Sequence, residues 1–400
     1  MTPRVSNGLL EVPVEHVRGG TSTGILLHDS HLPAELPLRE ELIRRIMGVP
    51  LEGTTSGNRQ ITGLGRGVAT SNKVFIVAPS QRNDADIEST LAQLAADKSA
   101  IDWSVNCGNM SAALPFFALD HGLAHVNGDR TTVRIFNTNT SVVTHGILET
   151  PGSRTDFPAD TEIPGVMGRF PGVMLALLKP AGARTAALLP TGNASDEIEG
   201  YKVSCVDVAV PMVILRAADF GKTATEAPTA LDQDKEFKET LRKIWVEAGL
   251  RMELKRKDGT PMSRDDLAQS ETIPKVCIVA PPEDGDRART GNIKVRYFTP
   301  QQAHPSMAVT GGSCLAAACL IPGTTAHDCA RDAGGLTTAV ANHPVVMENP
   351  AGLLKAEIRG AVTAKGIEIE HAAYQRSAQV LLRGYTPIYG ASDALLKCYG

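Results

Sequence analysis

Residues 105–114 of this chain read VNCGNMSAAL, and residues 309–318 read VTGGSCLAAA. In both stretches a glycine and a small polar residue lead into an alanine-rich segment, a pattern that predicts the beginning of a helix. A helix start carries unpaired backbone N–H groups and partial positive charge, which stabilise a thiolate or a bound carboxylate. The pattern therefore predicts a duplicated fold with a candidate proton-transfer group, Cys107, just ahead of the first helix.

The two copies differ at the thiol. When Gly108 is aligned with Gly312, Cys107 falls on Gly311, and Cys314 lies three residues beyond that position. We therefore expect the first copy to keep one reactive thiol and the second copy to have lost it.

Length and charge limit the classes of function. A chain of 400 residues exceeds the usual size of one hydrophobic core, so we expect two domains. The formal net charge is −4, with both signs scattered along the chain, which favours neither nucleic acid nor an anionic membrane as a partner. The first residues lack the apolar core of a signal peptide, and no apolar run approaches the roughly 20 residues of a membrane span. We expect a cytoplasmic protein.

The cysteines indicate reduced thiols. There are 7 of them, an odd number without a CxxC pair, which argues against a closed disulfide framework. Cys205 and Cys277 lie inside β-like apolar runs, where cysteine usually behaves as a small core residue. The charged stretch 255–271 is typical of a solvated connection.

Hydrophobic periodicity predicts the α+β class. Short β-branched runs alternate with turn-rich segments, as in an antiparallel sheet, and one of these runs is 203–215. Apolar residues at three- and four-residue spacing predict fewer helices, at 38–47, 111–120, 231–248, 313–320 and 326–341. Many strands with one alanine-rich helix in each half indicate a sheet that wraps around a central helix.

The domain boundaries follow from a turn-dense passage that begins at Leu189 and from a strand-like run near the end, 379–388. We expect an N-terminal domain of residues 1–190 plus 376–400, which holds Lys73 and Cys107. We expect a C-terminal domain of residues 191–375, which holds the helix start at 311–313.

Three further segments carry candidate chemistry. Residues 18–24 offer an arginine, three hydroxyls and flexible backbone N–H groups, a set that suits a carboxylate, although glycine-rich turns after strands are common. Lys73 opens an apolar strand after a glycine-rich approach and could act as a base, or could be an ordinary ion-paired lysine. His304, in the approach to the second helix, could be a general acid or a structural histidine.

These motifs together resemble the PrpF family, which includes isomerases and tautomerases of methylaconitate, oxalomesaconate, methylitaconate and aconitate. The resemblance covers about residues 10 to 390 and rests on residues 18–22, 71–74, 106–113 and 309–317, in the family's order. It implies the diaminopimelate-epimerase-like fold, with two pseudo-symmetric domains, each a curved, mainly antiparallel sheet around a central helix. It also implies an active site in the cleft between the domains and makes a homodimer reasonable.

The resemblance implies that Lys73 and Cys107 are the catalytic pair of a cofactor-independent isomerase without a metal. The substrate would be a small unsaturated di- or tricarboxylate in which a C=C bond migrates, and the aconitate type is our first choice. Backbone N–H groups and an arginine would stabilise the charge of the dienolate. The candidate substrate-binding residues are Arg18, Gly20, Thr21, Ser22, Arg66, Ser71, Asn72, Asn106, Gly108, Asn109, Met110, Ser111, Arg296, His304, Met307, Thr310, Gly311, Gly312 and Ser313.

Two other functions stay open at this point. An amino-acid racemase or epimerase needs a second base opposite Cys107, which Cys314 supplies only in another alignment of the two copies. A binder of organic acids without catalytic activity needs the same cleft but no proton transfer.

Overall fold

The computed structural model describes residues 1–256 and 258–400, which form two compact units. Unit 1 comprises Met1–Glu162, Val166–Leu175 and Arg376–Gly400. Unit 2 comprises Ile163–Gly165 and Ala176–Gln375. The domain division expected from the sequence, 1–190 with 376–400 against 191–375, stays a prediction.

The secondary structure is rich in strands. The strands are β1 (Arg4–Ser6), β2 (Leu9–Gly19), β3 (Ser22–His28), β4 (Lys73–Pro79), β5 (Ile87–Leu94), β6 (Ile101–Asp102), β7 (Arg130–Asn137), β8 (Val142–Glu149), β9 (Gly172–Leu178), β10 (Asp196–Ile198), β11 (Tyr201–Val208), β12 (Val210–Arg216), β13 (Lys275–Ala280), β14 (Ile293–Thr299), β15 (Gln302–Ala303), β16 (Ala341–Asn349), β17 (Gly352–Thr363) and β18 (Gly366–Ile388). The α-helices are α1 (Leu36–Met47), α2 (Gly108–Ser111), α3 (Leu114–Asp120), α4 (Pro228–Gln233), α5 (Lys235–Arg251), α6 (Arg264–Gln269), α7 (Arg287–Thr290), α8 (Val309–Cys319), α9 (Thr325–Cys329) and α10 (Asp393–Lys397).

Unit 1 and unit 2 repeat one strand order. In unit 1 the strands β2, β3, β4, β5, β7 and β8 lie side by side, with antiparallel, parallel, antiparallel, parallel and antiparallel pairings in turn. In unit 2 the strands β11, β12, β13, β14, β16 and β17 follow the same series. Short strands occupy the same place in both, β6 beside β5 and β15 beside β14. The duplication expected from the sequence is confirmed.

In each unit the sheet curves around a helix. In unit 2, α8 contacts β11 and β12 at one end of the strand order and β16 and β17 at the other end. In unit 1, α2 contacts β2 and β3, whereas α3 contacts β7 and β8. Because strands from both ends of the order reach the same helical segment, each sheet is wrapped around it. We call the sheet face against α2 and α3, or against α8, the inner face.

A second helix covers the outer face of each sheet. In unit 1, α1 packs on a cluster that includes Ile25 and Val74, and in unit 2, α5 packs on one that includes Val276. Neighbouring residues of the same strands, such as Cys277, join the cluster around α8 instead. This alternation is what strands covered on both faces require, because successive side chains point to opposite faces.

Several predicted elements differ in the structure. The helix expected over 111–120 is split into α2 and α3, and Pro115, which has no N–H to donate, lies in the first turn of α3. The helix expected over 326–341 ends at Cys329 as α9, and residue 341 already begins β16. The run 203–215 is a hairpin of β11 and β12 that turns at Ala209, which has a φ of 64°.

Other predictions agree more closely. Helix α1 covers the predicted 38–47 and ends at Gly48, whose left-handed φ of 68° suits glycine. The predicted 231–248 is covered by α4 and α5, which are separated at Asp234. The charged stretch 255–271 contains α6, which begins with a capping box at Ser263, so part of this stretch is helix. In the described part of the chain, none of the helices has the length and apolarity needed to cross a bilayer.

Candidate active site

The inner face of β3 brings Lys73 and Cys107 into one region of unit 1. Ser22 and Gly24 lie two residues apart on this strand and therefore share a face, about 7 Å apart. The Sγ atom of Cys107 lies 4.0 Å from the Oγ atom of Ser22. A Cβ atom added at Gly24 would lie 3.1 Å from the Cβ atom of Lys73. The Cβ atom of Lys73 and the thiol of Cys107 therefore lie beside two positions on the same face of β3.

Lys73 is the first residue of β4 and is only 7% exposed. The next residue, Val74, belongs to the cluster under α1 on the outer face, so Lys73 points to the inner face with α2. Its Nζ atom donates a hydrogen bond to the Oε1 atom of Gln93, which lies directly opposite on β5. Gln93 was not a candidate from the sequence, because only the pairing of β4 with β5 brings it to the lysine.

Cys107 immediately precedes α2 and is half-buried. Its backbone N–H donates to the side-chain oxygen of Asn106 at 2.7 Å. Its carbonyl oxygen accepts from the backbone N–H of Ser111 at 2.9 Å and from the hydroxyl of Ser111 at 3.0 Å. These bonds hold the backbone of Cys107 in place while the thiol stays accessible. The contacts within residues 106–111 thus fix the position of Cys107.

The turn between β2 and β3 packs directly against α2. A Cβ atom at Gly19 would lie 2.6 Å from the carbonyl oxygen of Asn109, so only glycine fits there. Gly20 has a φ of 53°, and a Cβ atom there would lie 2.5 Å from the Oδ1 atom of Asn109. The Nδ2 atom of Asn109 donates to the hydroxyl of Thr21 at 3.1 Å, and its Oδ1 atom accepts from Nε of Arg376 at 3.0 Å. Asn109 therefore ties the turn to α2.

Arg18 also stabilises the turn between β2 and β3. It is 8% exposed, and its guanidinium donates to the carbonyl oxygen of Gly20 at 2.7 Å and to the carbonyl oxygen and hydroxyl of Ser377, both at 3.1 Å. It also stacks over the ring of Phe170, with Cζ 4.7 Å from the ring centre. The described contacts of Arg18 therefore shape the turn. Arg376 and Ser377 were not predicted, because they lie far along the chain.

The residues before Lys73 form the approach to β4. Asn72 is fully buried, and its Oδ1 atom accepts from the backbone N–H of Arg66 at 3.3 Å. Its Nδ2 atom is buried without a hydrogen-bond partner among the described residues. Ser71 is half-buried, whereas the side chain of Arg66 is exposed. Asn72 thus holds the loop, and Arg66 extends from it into solvent.

In unit 2 the start of α8 is closely packed. A Cβ atom at Gly311 would lie 2.4 Å from a ring carbon of Tyr297, and one at Gly312 would lie 2.7 Å from Cδ2 of Leu354. Ser313 is fully buried and Met307 is 3% exposed, whereas Thr310 is half-buried. The glycines at this helix start therefore let α8 approach the sheet closely.

Two other predicted residues of unit 2 have definite partners. Arg296 lies on the outer face, since its neighbour Tyr297 faces α8, and it donates to the carbonyl oxygens of Glu226 at 2.7 Å and of Val295 at 2.9 Å. The structure therefore does not bring Arg296 to the start of α8. The Nδ1 atom of His304 accepts from the backbone N–H of Ser306 at 3.0 Å, and burial lowers the pKa of His304, so its ring is neutral near pH 7.

The composition of the site suits acid-base chemistry on an organic anion. It combines an amine, a thiol, hydroxyls and backbone N–H groups on the inner face of two neighbouring strands, β3 and β4, and at one helix start. In the described part of the chain, no three His, Cys, Asp or Glu side chains lie close enough together to hold a metal ion.

The family follows from comparison with known proteins. A family model described as "PrpF protein" matches residues 9–388. The chain belongs to the PrpF family. It is 36% identical to 4-oxalomesaconate tautomerase of Pseudomonas putida, over 88% of this chain and 90% of that protein. It is 32% identical to (4E)-oxalomesaconate Delta-isomerase of Novosphingobium sp., over 96% of this chain and 99% of that protein.

A solved structure extends this result to the fold. The crystal structure of methylitaconate-delta-isomerase matches this PrpF-family chain with a TM-score of 0.79 and 29% sequence identity, over 96% of this chain and 97% of that chain. The fold is that of the diaminopimelate-epimerase-like proteins, as the resemblance implied. The chain is an enzyme and its class is isomerase, as in these relatives.

Cys314 does not suit the role of a second base in this PrpF-family chain. It is fully buried within α8, and its thiol donates to the carbonyl oxygen of Val206 at 3.4 Å. Burial raises the pKa of Cys314 well above the usual range of a thiol, so it stays protonated. A two-thiol racemase therefore lacks its second thiol at this position.

Proposed function

We propose that this isomerase moves a C=C bond by proton transfer in a branched, unsaturated di- or tricarboxylate, with Lys73 as the base and Cys107 as the acid. The observation that carries the proposal is that the Cβ atom of Lys73 lies beside Gly24 and the Sγ atom of Cys107 beside Ser22, two positions on the same face of β3, while the amine of Lys73 is directed to Gln93 on β5. Two groups of different chemistry on one face of a sheet suit removal of a proton from one carbon and delivery of a proton to another.

The reaction proceeds through a dienolate. Lys73 takes an allylic C–H proton, and the electron pair of that bond moves into the conjugated system and onto carboxylate oxygens. Cys107 then gives its thiol proton to the distal carbon, where the new C–H bond forms as the double bond shifts. Proton exchange with solvent returns the amine and the thiol to their starting states. The oxidation state of the substrate does not change, so the proposal invokes no cofactor.

Unit 1 contains donors for the charge that develops. The hydroxyl of Ser22 lies beside the thiol, and the start of α2 at 108–110 provides backbone N–H groups directly after Cys107, whereas the N–H of Gly20 already donates to the carbonyl oxygen of Ser377 at 2.9 Å. Such donors lower the energy of an enolate because their dipoles are already oriented before the charge forms. The candidates of unit 2, among them Thr310 and His304, stay predictions from the sequence.

The relatives favour oxalomesaconate as the first substrate to test. Two of the similar proteins are named for isomerisation of this acid, including the one that is 36% identical. Methylitaconate and 2-methylaconitate appear in the names of two others. These acids share carboxylates next to a C=C bond, and we propose that class as the substrate.

Proton NMR in deuterated buffer tests the proposal. The purified protein is incubated with 4-oxalomesaconate, 2-methylaconitate, methylitaconate and cis- and trans-aconitate. Migration of the double bond with deuterium at the distal carbon is the expected result for one or more of these acids. Thermal stabilisation by an acid of the panel without turnover would instead favour a binder. Deuterium entry at the Cα atom of an amino acid would favour an epimerase.

A further inference from the structure

We propose that Gln93 positions Lys73 and, as a neutral hydrogen-bond acceptor, leaves its amine free to take up a proton. The inference rests on the proposed function of Lys73 as the base. It concerns a residue that touches the lysine and not the substrate, so Gln93 is a positioning residue.

The register of the sheet places Gln93 opposite Lys73. The two residues pair directly across the antiparallel strands β4 and β5, and both side chains therefore lie on the inner face. Their neighbours Val74, Ala92 and Leu94 belong to the cluster under α1 on the outer face, which confirms this orientation. The contact thus follows from the backbone pairing of two central strands.

The amide of Gln93 can point in only one direction. Its Nε2 atom donates to the carbonyl oxygens of Ala69 at 3.2 Å, Asn72 at 3.0 Å and Leu94 at 3.2 Å. A rotation of the amide by 180° would place Oε1 against these three oxygens, where no donor is available. The Oε1 atom is therefore held toward the Nζ atom of Lys73, to which it is hydrogen-bonded.

The charge of the side chain at position 93 decides which protonation form of the Lys73 amine the contact favours. An amide oxygen accepts one N–H bond from either form of the amine, and the lone pair of the neutral amine then points elsewhere. A carboxylate at the same place would hold the ammonium form as an ion pair, strengthened because Lys73 is 7% exposed. Glutamine is therefore the residue that positions the lysine without keeping it protonated.

The acidic group on the strand beyond Gln93 is Asp102 of β6, which pairs with Gln93 and whose Oδ1 atom accepts from the backbone N–H of Ser104 at 2.8 Å and from its hydroxyl at 2.6 Å. On the inner face, β3 presents Ser22 and Gly24, which carry no charge. Helix α2 presents Met110, whose Cε atom lies 3.0 Å from a Cβ atom added at Gly24, and the thiol of Cys107 is the titratable group ahead of that helix. In the loop before β4, the charged side chain of Arg66 is exposed.

The first test is a 15N NMR titration of the Lys73 Nζ resonance in lysine-labelled full-length protein. The resonance is assigned by its loss in Lys73→Met. In Gln93→Glu we expect the titration midpoint to move to higher pH by about one unit or more. Gln301→Glu is the matched control, because the Nε2 atom of Gln301 donates to the carbonyl oxygens of Ala268 and Ser270 in unit 2. Its midpoint should equal that of the wild type.

The second test measures activity with the acid that the wild type turns over. We expect kcat/KM of Gln93→Glu at pH 7 to fall at least about tenfold and to recover as the pH rises. Gln93→Leu, which has no acceptor, should lower kcat about tenfold or more with little change in KM. Gln301→Glu should keep the pH profile of the wild type.

The two tests separate the inference from the proposed function. An unchanged Nζ midpoint in Gln93→Glu would overturn the role of Gln93, whatever the activity. A shifted midpoint in a protein that turns over none of the acids would support the contact and overturn the proposed function alone. Should Gln93→Leu fail to fold, the midpoint in Gln93→Glu decides, since glutamate keeps the length of glutamine and the oxygen that faces Lys73 and loses only the donor contacts of Nε2.

Discussion

A lysine opens the corresponding strand in both units, Lys73 in β4 and Lys275 in β13. In unit 1 the paired strand presents Gln93 to the lysine. In unit 2 the register that pairs Val276 with Phe298 puts Thr299 beside Lys275 instead. The lysine at this strand position therefore faces the amide oxygen of a glutamine in unit 1 and a threonine in unit 2. Burial lowers the pKa of Lys275, so we infer that the cross-strand partner, and not burial, distinguishes the two lysines.

The helices on the inner faces differ in a related way. In unit 1, α2 has only four residues, and Cys107 ahead of it is half-buried. In unit 2, α8 has 11 residues and is buried from Gly311 to Cys319. One copy has a short helix that leaves a thiol accessible, and the other has a longer helix that fills the core. We infer from this comparison that unit 1 provides the proton-transfer groups and unit 2 provides stability at the equivalent places.

The largest difference in activity is expected between the variants of the two lysines. Lys73→Met should lower kcat by about 10²- to 10⁴-fold, because the base is lost, whereas Lys275→Met should keep kcat within about threefold. Steady-state kinetics with the turned-over acid measures both, and circular dichroism checks that both variants are folded. Equal losses in the two variants would remove the distinction between the units.

Cys107 and Cys314 test whether the helix starts of the two units have different roles. Cys107→Ser should lower kcat about 100-fold, because a hydroxyl is a much weaker acid than a thiol. Cys314→Ser should keep kcat but lower the free energy of unfolding by about 1–3 kcal/mol, because a hydroxyl enters an apolar core. Urea unfolding and kinetics are measured on the same preparations. A kcat loss at Cys314 without a stability loss would speak for a catalytic second thiol.

One glycine on each inner face, Gly24 in unit 1 and Gly312 in unit 2, tests how closely the helix and the sheet are packed. In Gly24→Ala the new Cβ atom would lie 2.5 Å from the carbonyl oxygen of Lys73, so we expect a loss of about 1–3 kcal/mol in stability and a lower kcat. In Gly312→Ala the close atom belongs to the movable side chain of Leu354, and alanine gains about 0.5–1 kcal/mol in a helix, so the net change should be near zero. The reverse order in thermal unfolding would contradict this.

The smallest effect is a pH dependence of stability. Burial, with help from nearby His28, lowers the pKa of His31 in unit 1 from 6.5 to about 4. Between these values the unfolded chain binds more protons than the folded protein, so stability should fall as the pH drops from 6.5 to 4. His31→Gln should remove about 1 kcal/mol of that loss, as measured by urea unfolding at pH 7 and pH 4.5. An equal loss of stability between pH 7 and pH 4.5 in the wild type and in His31→Gln would refute this role of His31.

Local motifs predicted the candidate residues that lie near one another in the chain. The glycines at 19–20 and the segment 106–111 could be recognised from the sequence, because their close packing requires small residues or a helix start. The duplication was also readable, since both helix starts share one pattern. These features depend on local backbone geometry, which a short stretch of sequence specifies.

Contacts between distant strands could not be read in the same way. Gln93 reaches Lys73 only through the register of β4 and β5, and Arg376 reaches Asn109 only after the chain has passed through unit 2. Arg296 was expected to bind the substrate, and strand alternation places it on the outer face of its sheet. The helix expected over 326–341 ends at Cys329, and the left-handed φ values of Asp332 (54°) and Gly334 (71°) interrupt the segment that follows. Long-range contacts thus decide the positions of Gln93 and Arg376, and local backbone geometry decides the other two.

Deuterium exchange in single-site variants separates the two proton transfers. We propose that Lys73 and Cys107 of unit 1 carry out both transfers of one isomerisation. In deuterated buffer, Cys107→Ser should exchange the allylic hydrogen of the substrate while forming product about 100-fold more slowly than the wild type, and Lys73→Met should do neither. Product formation at the wild-type rate in either variant would contradict the claim.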